Sequence, residues 1–206
     1  MREPTEQETR LLDAAVVTGG LGPRYAQPHR EYHNLMHVED VLLRIEELEP
    51  PVEHELALAL AAWFHDAVYQ PGKPDNEDRS AYVAYDALEQ VGASPELIAE
   101  VVRLVRLTAS HEADPDDDAG TVLCDADLAI LAASPDRYAR YVDAIRQEYI
   151  HVPQSEFSVG RANVLQSFLD RTSIYRTPHG QQHWEAAARA NLATELAALT
   201  GSAGNV

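Results

Sequence analysis

Apolar positions recur at helical intervals along almost the whole chain. Val38, Val41, Leu42, Ile45 and Leu48 form one stripe. Leu97, Ile98, Val101, Val102, Leu104 and Val105 form another, and both fit the i, i+3, i+4, i+7 spacing of a single helix face. No segment alternates with period two for long enough to make a strand. Breakers divide the pattern into helix-sized pieces: TGGLGP at 18–23, PP at 50–51, PGKPDN at 71–76, GASP at 92–95, DPDDDAG at 114–120, SP at 134–135 and TPHG at 177–180. Ser94–Pro95 and Ser134–Pro135 each put a capping hydroxyl before a proline suited to a first helical turn, which marks two helix starts. The acidic stretch 114–118 reads as a solvated connection. The pattern predicts an all-α, single-domain bundle of about eight or nine helices over 1–206, with an N-terminal helix within 1–20 and a disordered tail at 201–206.

Composition narrows the setting. The longest apolar run, LALALAAWF at 56–64, falls far short of the roughly 20 residues that span a bilayer, so no membrane association is expected. The polar start MREPTEQETR lacks the apolar segment of a secretory signal. Cys124 is the only cysteine, which excludes an internal disulfide and a cysteine-based metal cluster and fits a reducing compartment. A cytoplasmic protein is expected. The formal net charge of -18 repels a polynucleotide backbone, so no nucleic-acid partner is expected. A small anionic substrate stays open, because divalent cations and a few arginines can reverse the potential inside a cleft.

Three segments carry the candidate chemistry. In PHREYHNLMHVEDV (28–41), His29, His33 and His37 stand four residues apart. Pro28 and Asn34 argue against one continuous helix. Asn34 is a good N-cap, which puts His33 just before a helix and His37 in its first turn, where the helix dipole favours the neutral, metal-binding imidazole. His29 reads as a surface residue. In AAWFHDAVYQPG (61–72), His65 and Asp66 are expected inside the most hydrophobic helix, where a charged Asp66 needs a cation. In TVLCDADLAIL (121–131), Asp125 and Asp127 lie among apolar residues; Asp125 is favoured as a helix cap, which leaves the other facing inward. His37, His65, Asp66 and Asp127 together suit a divalent cation, with Mn, Fe, Mg, Ni, Co and Zn as candidates and one or two ions per chain.

The order His, then His-Asp, then Asp resembles the HD superfamily of metal-dependent phosphohydrolases, which is all-helical. YHNLMHVEDV is similar to the YHNxxHxxDV signature of cyclic-nucleotide phosphodiesterase catalytic domains, which implies His33 as general acid and His37 as metal ligand. ADL at 126–128 resembles their last ligand segment, which implies Asp127 rather than Asp125 as the ligand. Where that family carries a second histidine after its HD pair this chain has Tyr69, and no counterpart of its purine-clamping glutamine is found, so cyclic nucleotides are not implied. WFHDAVY, NEDRSA, DADLAIL, IRQEY and GRANVLQSFLDRTSIY look like a small bacterial group of predicted HD phosphohydrolases.

That resemblance implies metal-dependent hydrolysis of a small phosphoester, a nucleotide among the candidates. The cation would lower the pKa of bound water and clamp the phosphate, while His33 protonates the leaving oxygen. Asp66 would bridge a second ion if two bind, and Glu77 is a candidate to activate or orient water. His111, Lys73, Tyr69, Arg146 and Arg161 are candidate substrate contacts. For His111 a cationic role at a helix C-terminus weighs about equally with a phosphate or metal contact. Tyr138, Tyr141 and Tyr149 read as packing residues. A homodimer is compatible with all of this. Two other readings stay open: a di-iron oxygenase of HD type, which needs about six protein ligands, and a non-catalytic binding or sensor module that keeps a metal for structure.

Overall fold

The protein, seen in a computed structural model that describes residues 4–201, is all-α, with no strand among the described residues. It has nine α-helices of ten residues or more, as the apolar periodicity predicts, and two shorter ones among the described residues. The chain divides between Asp127 and Leu128 into two compact units. The expected tail falls almost wholly outside the described residues; Gly201 itself closes the last helix.

The first unit holds α1 (Glu6–Thr18), α2 (Leu21–Tyr25), α3 (Leu35–Glu47), α4 (Glu55–Phe64), α5 (Asn76–Gln90), α6 (Pro95–Leu107) and α7 (Asp118–Leu128, ending one residue past the division). Thr5 and Glu8 start α1 as a reciprocal capping box: the Glu8 N–H donates to Thr5 Oγ1 at 3.3 Å and the Thr5 N–H to Glu8 Oε2 at 2.8 Å. Ser94 caps α6 through the Leu97 N–H at 3.3 Å, with Pro95 in the first turn, as expected. At α4, ELALALAAWF is apolar nearly all round, so it takes the middle of the unit and packs on α1, α3, α5 and α6. Leu58, Leu60, Ala61, Ala62 and Phe64 are buried on α4, where they meet Val38, Val41 and Ile45 of the α3 stripe and Val101, Leu104 and Val105 of the α6 stripe in one core. No helix among the described residues is long and apolar enough to cross a membrane.

The second unit holds α8 (Pro135–Glu148), α9 (Gln154–Leu169), α10 (Pro178–His183) and α11 (Glu185–Gly201), with α11 packed on α9 and α10. Helix α8 starts at Ser134–Pro135 as predicted, but the Ser134 hydroxyl makes no cap bond. The same Ser/Thr–Pro logic does operate at α10, where Thr177 accepts from the Gly180 N–H at 3.0 Å ahead of Pro178. TPHG is thus a helix start as well as a break. Glu185 receives the N–H groups of Ile174 and Tyr175, and Arg189 pairs with it at 2.7 Å, which fixes the turn before α10.

Candidate metal centre

Three local structures bring the ligand-type side chains together. Asn34 caps α3 through the Met36 N–H at 2.9 Å, so His33 precedes the helix and His37 lies in its first turn, as expected. His65 and Asp66 were expected inside a helix and instead mark its end: α4 stops at Phe64, His65 is the C-cap, and Asp66 stands in the following turn. The negative end of the helix dipole favours a cation there. Asp125 is not a cap either. It is buried eight residues into α7, and the cap is Asp117, whose Oδ1 accepts from the Gly120 N–H at 2.9 Å. Asp117 also pairs with Arg103 at 2.9 Å, so it is more than a solvated acid of the connection.

His37 Nε2 lies 3.1 Å from His65 Nε2, 3.0 Å from Asp127 Oδ1 and 3.6 Å from Asp66 Oδ2. His65 Nε2 lies 3.1 Å from Asp66 Oδ2 and 3.7 Å from Asp127 Oδ1. Donors held about 2.1 Å from one cation stand about 3.0 Å apart when adjacent in an octahedron and about 3.4 Å apart in a tetrahedron. The observed edges bracket those values. His37, His65 and Asp127 form a group able to hold a metal ion, and Asp66 stands beside them. Two imidazoles and two carboxylates fit a borderline or hard divalent cation by donor type.

The ring nitrogens away from the cluster differ. His65 Nδ1 faces the Ala62 carbonyl at 2.8 Å, and an N–H there leaves the Nε2 lone pair directed at the cluster, the tautomer a metal ligand needs. His37 Nδ1 is buried without a hydrogen-bond partner among the described residues, so packing and Nε2 contacts alone set that ring. Burial and the neighbouring charges pull the two imidazoles apart. Burial lowers the pKa of His37 against the pull of Asp127. For His65 burial also lowers it, but the Asp66 and Asp127 carboxylates win and hold it at about 9. Burial would raise both carboxyls; His65, His33 and His37 hold Asp66 below its ordinary range, and His65, His111 and His37 do the same for Asp127. Without a metal, the cluster therefore keeps a proton in the place of a cation.

The remaining candidates separate into neighbours of this centre and residues engaged elsewhere. The His33 ring stacks on Tyr69 at 4.1 Å, meets Tyr32 edge-on at 5.0 Å and stands 5.7 Å from the His37 ring. Tyr69 is buried and supports His33. His29, exposed as expected, reaches the Tyr69 carbonyl at 2.9 Å. His111 Nε2 lies 2.7 Å from Asp127 Oδ2. Its backbone has φ 52°, the left-handed conformation, which turns the chain after α6 and aims the ring back at Asp127. Burial and the charge of Asp66 raise the Glu77 carboxyl. Lys73 is exposed. In the second unit, Arg146 bonds the carbonyls of Tyr149 and Val152 at 2.6 and 3.1 Å at the end of α8. Arg161 forms a two-pronged pair with Glu195 at 2.8 and 3.1 Å and reaches the Tyr141 hydroxyl at 3.2 Å. Both guanidinium groups thus have structural partners of their own.

Sequence reasoning passed over Arg30. It is buried, and its Nη1 donates to the carbonyls of His33 at 2.9 Å and Asp66 at 2.7 Å, while Nη2 reaches Ala67 at 3.3 Å. It lies over the rings of Tyr25 and Tyr69 at 5.1 and 5.6 Å. One guanidinium therefore ties the segment before α3 to the segment after α4. The only signal available was a charged residue inside the quoted histidine motif. NEDRSA gains a local reason as well. Asn76 exchanges two hydrogen bonds with the backbone of Gln70, both at 3.0 Å, and Ser80 bonds the backbone of Val68 at 2.9 and 3.2 Å, which pins the irregular segment that follows the HD pair.

The class defined so far is an all-helical protein with a buried His/Asp cluster of metal-binding type. No family model, curated protein or solved structure matches the chain.

Proposed function

We propose that the protein is a metal-dependent phosphohydrolase of HD type acting on a small phosphoester, with nucleotides the first class to test. One observation carries this: the imidazole nitrogens of His37 and His65 and a carboxylate oxygen of Asp127, drawn from the start of α3, the end of α4 and the end of α7, converge within 3.0–3.7 Å, and Asp66 Oδ2 stands 3.1 Å from His65 Nε2 and 3.6 Å from His37 Nε2. His37, His65, Asp66 and Asp127 would hold the ion. When bound, a divalent cation supplies an acidified water and neutralises charge on the phosphoryl oxygens. His33, stacked on Tyr69 beside His37, is placed to hold a proton for the leaving oxygen. Glu77, its carboxyl raised by burial, is suited to take a proton from the attacking water. His111 keeps the second oxygen of Asp127 oriented.

Purified protein loaded with Mn, Co or Mg is expected to hydrolyse some member of a panel of mono-, di-, tri- and cyclic nucleotides. His33→Ala should lose turnover while keeping its metal content, and Asp127→Asn should lose the metal. Silence across the panel with every metal overturns the proposal, and unchanged behaviour of His33→Ala in every assay points to a non-catalytic module. His111 against Asp127 favours one second reading, a two-iron oxygenase, which predicts iron-dependent absorption and oxygen uptake.

A further inference from the structure

A groove on the first unit, away from the side chains of the metal cluster, has a volume of about 550 Å³. Its floor is apolar: Leu12 from α1, Leu42 and Leu43 from α3, and Leu56, Ala59 and Trp63 from α4. The last three sit at i, i+3 and i+7 on a helix that is otherwise buried all round, and they remain only partly covered. Leu43 is 59% exposed. An all-apolar helix with one open stripe is unusual for a surface facing only water. The groove also has a charge. Glu8, Glu39, Glu46 and Glu55 line it, and none of its described lining residues is basic.

We propose that this groove binds an amphipathic helix of a partner protein with an apolar stripe flanked by basic residues. α3 and α4 contribute about two turns each and α1 just over one, so the trough is about 10–12 Å long and matches a partner's i, i+3/i+4 and i+7 side chains. Glu39 and Glu46 are seven residues apart on α3, about 10.5 Å along its axis, the same rise that separates lysines at i and i+7 of a docked helix. A compact monovalent cation meets only one end of that pair. A second copy of this chain is the wrong partner electrostatically, since the rim and the net charge of -18 repel it.

The test uses the full chain and a fluorescent peptide of about 18 residues, five helical turns, built from leucine and lysine with lysines at i and i+7 flanking a leucine stripe. A peptide with glutamates in place of the lysines is the counterpart. At about 0.15 M salt, where the Debye length is about 8 Å, anisotropy should report saturable binding of the lysine peptide alone. The chain has two tryptophans, and in Trp184→Phe protein the emission of Trp63 should shift as the groove fills; the difference between wild type and Trp63→Phe gives the same readout if Trp184→Phe does not fold. The double change E39K/E46K, at two exposed positions, should weaken the lysine peptide by about tenfold or more and gain binding of the glutamate peptide. D86K/E89K makes the same net charge change on the exposed face of α5 and should alter affinity by less than about twofold. Equal weakening by both pairs reduces the binding to net acidity and overturns the proposal. So does binding that leaves Trp63 unaffected, or dodecyltrimethylammonium that competes for the groove more tightly than the peptide.

Discussion

At the residue scale, Arg30 joins the two ligand-bearing segments, and its chemistry explains why a charge is tolerated there. The guanidinium is buried but meets three backbone carbonyls and two aromatic faces, which satisfy its donors. Arg30→Met keeps most of the volume and leaves those carbonyls without donors. Each lost buried bond costs about 1–3 kcal/mol, so urea unfolding should show a loss of several kcal/mol, accompanied by weaker metal uptake. Arg30→Lys keeps the charge but cannot serve both segments in one plane and should fall between. Wild-type metal affinity in both variants would show that the clamp does not position the ligands. Asp127→Asn tests a different contact. It removes a negative charge beside His65 while preserving shape, so the His65 pKa should fall from about 9 toward its ordinary value, which NMR titration of the metal-free protein reads directly.

At the element scale, α7 owes its start to Asp117, and Gly120 makes room for that cap. A Cβ at Gly120 would come within 2.6 Å of Leu107 Cδ2 and would also run into the Asp117 carboxylate. Gly120→Ala should therefore dislodge the cap despite alanine's better helix propensity, costing about 1–3 kcal/mol and lowering Tm by several degrees in a thermal melt. An unchanged or higher Tm would mean that the cap can shift cheaply. The same helix shows what could and could not be read in the sequence. The stripes of α3 and α6, the Asn34 cap and the Ser94 start were legible because periodicity and capping are local. Asp125 was misread because a carboxylate before an apolar run looks like a cap whether it lies outside the helix or within it. The end of α4 at Phe64 was hidden because no glycine or proline marks it; Arg30, Asn76 and Ser80 pin the exit from positions distant in sequence. Arg146 and Arg161 look like available cations in the sequence, while their carbonyl and carboxylate partners are set by tertiary packing.

At the scale of the whole molecule, the His/Asp cluster links proton binding to stability, and a cation bound there would enter the same balance. Metal-free, His65 is held at about 9 against an ordinary imidazole value of about 6.5. Its proton therefore stabilises the fold fully below about pH 6.5, and that contribution is lost as pH rises through about 9. Asp66 and Asp127 act with the opposite sign, since their depressed pKa values stabilise the fold above the ordinary carboxylate range and that stabilisation fades as acid protonates them. His37 works against acid too, since burial lowers its pKa and the unfolded imidazole takes a proton below about pH 6.5 that the folded one refuses. Chelator-treated protein should thus be most stable near about pH 6.5 and should weaken toward pH 9 and toward acid. A bound divalent cation needs both imidazoles neutral and takes over the role of that proton, so the loaded protein should keep its Tm over the alkaline part of the range. Uptake at about pH 7.5 should release about one proton, seen as a dependence of the calorimetric heat on buffer ionisation enthalpy. Binding without proton release, or with the same alkaline loss of stability in loaded and stripped protein, would mean that the ion sits somewhere other than between His37, His65, Asp66 and Asp127.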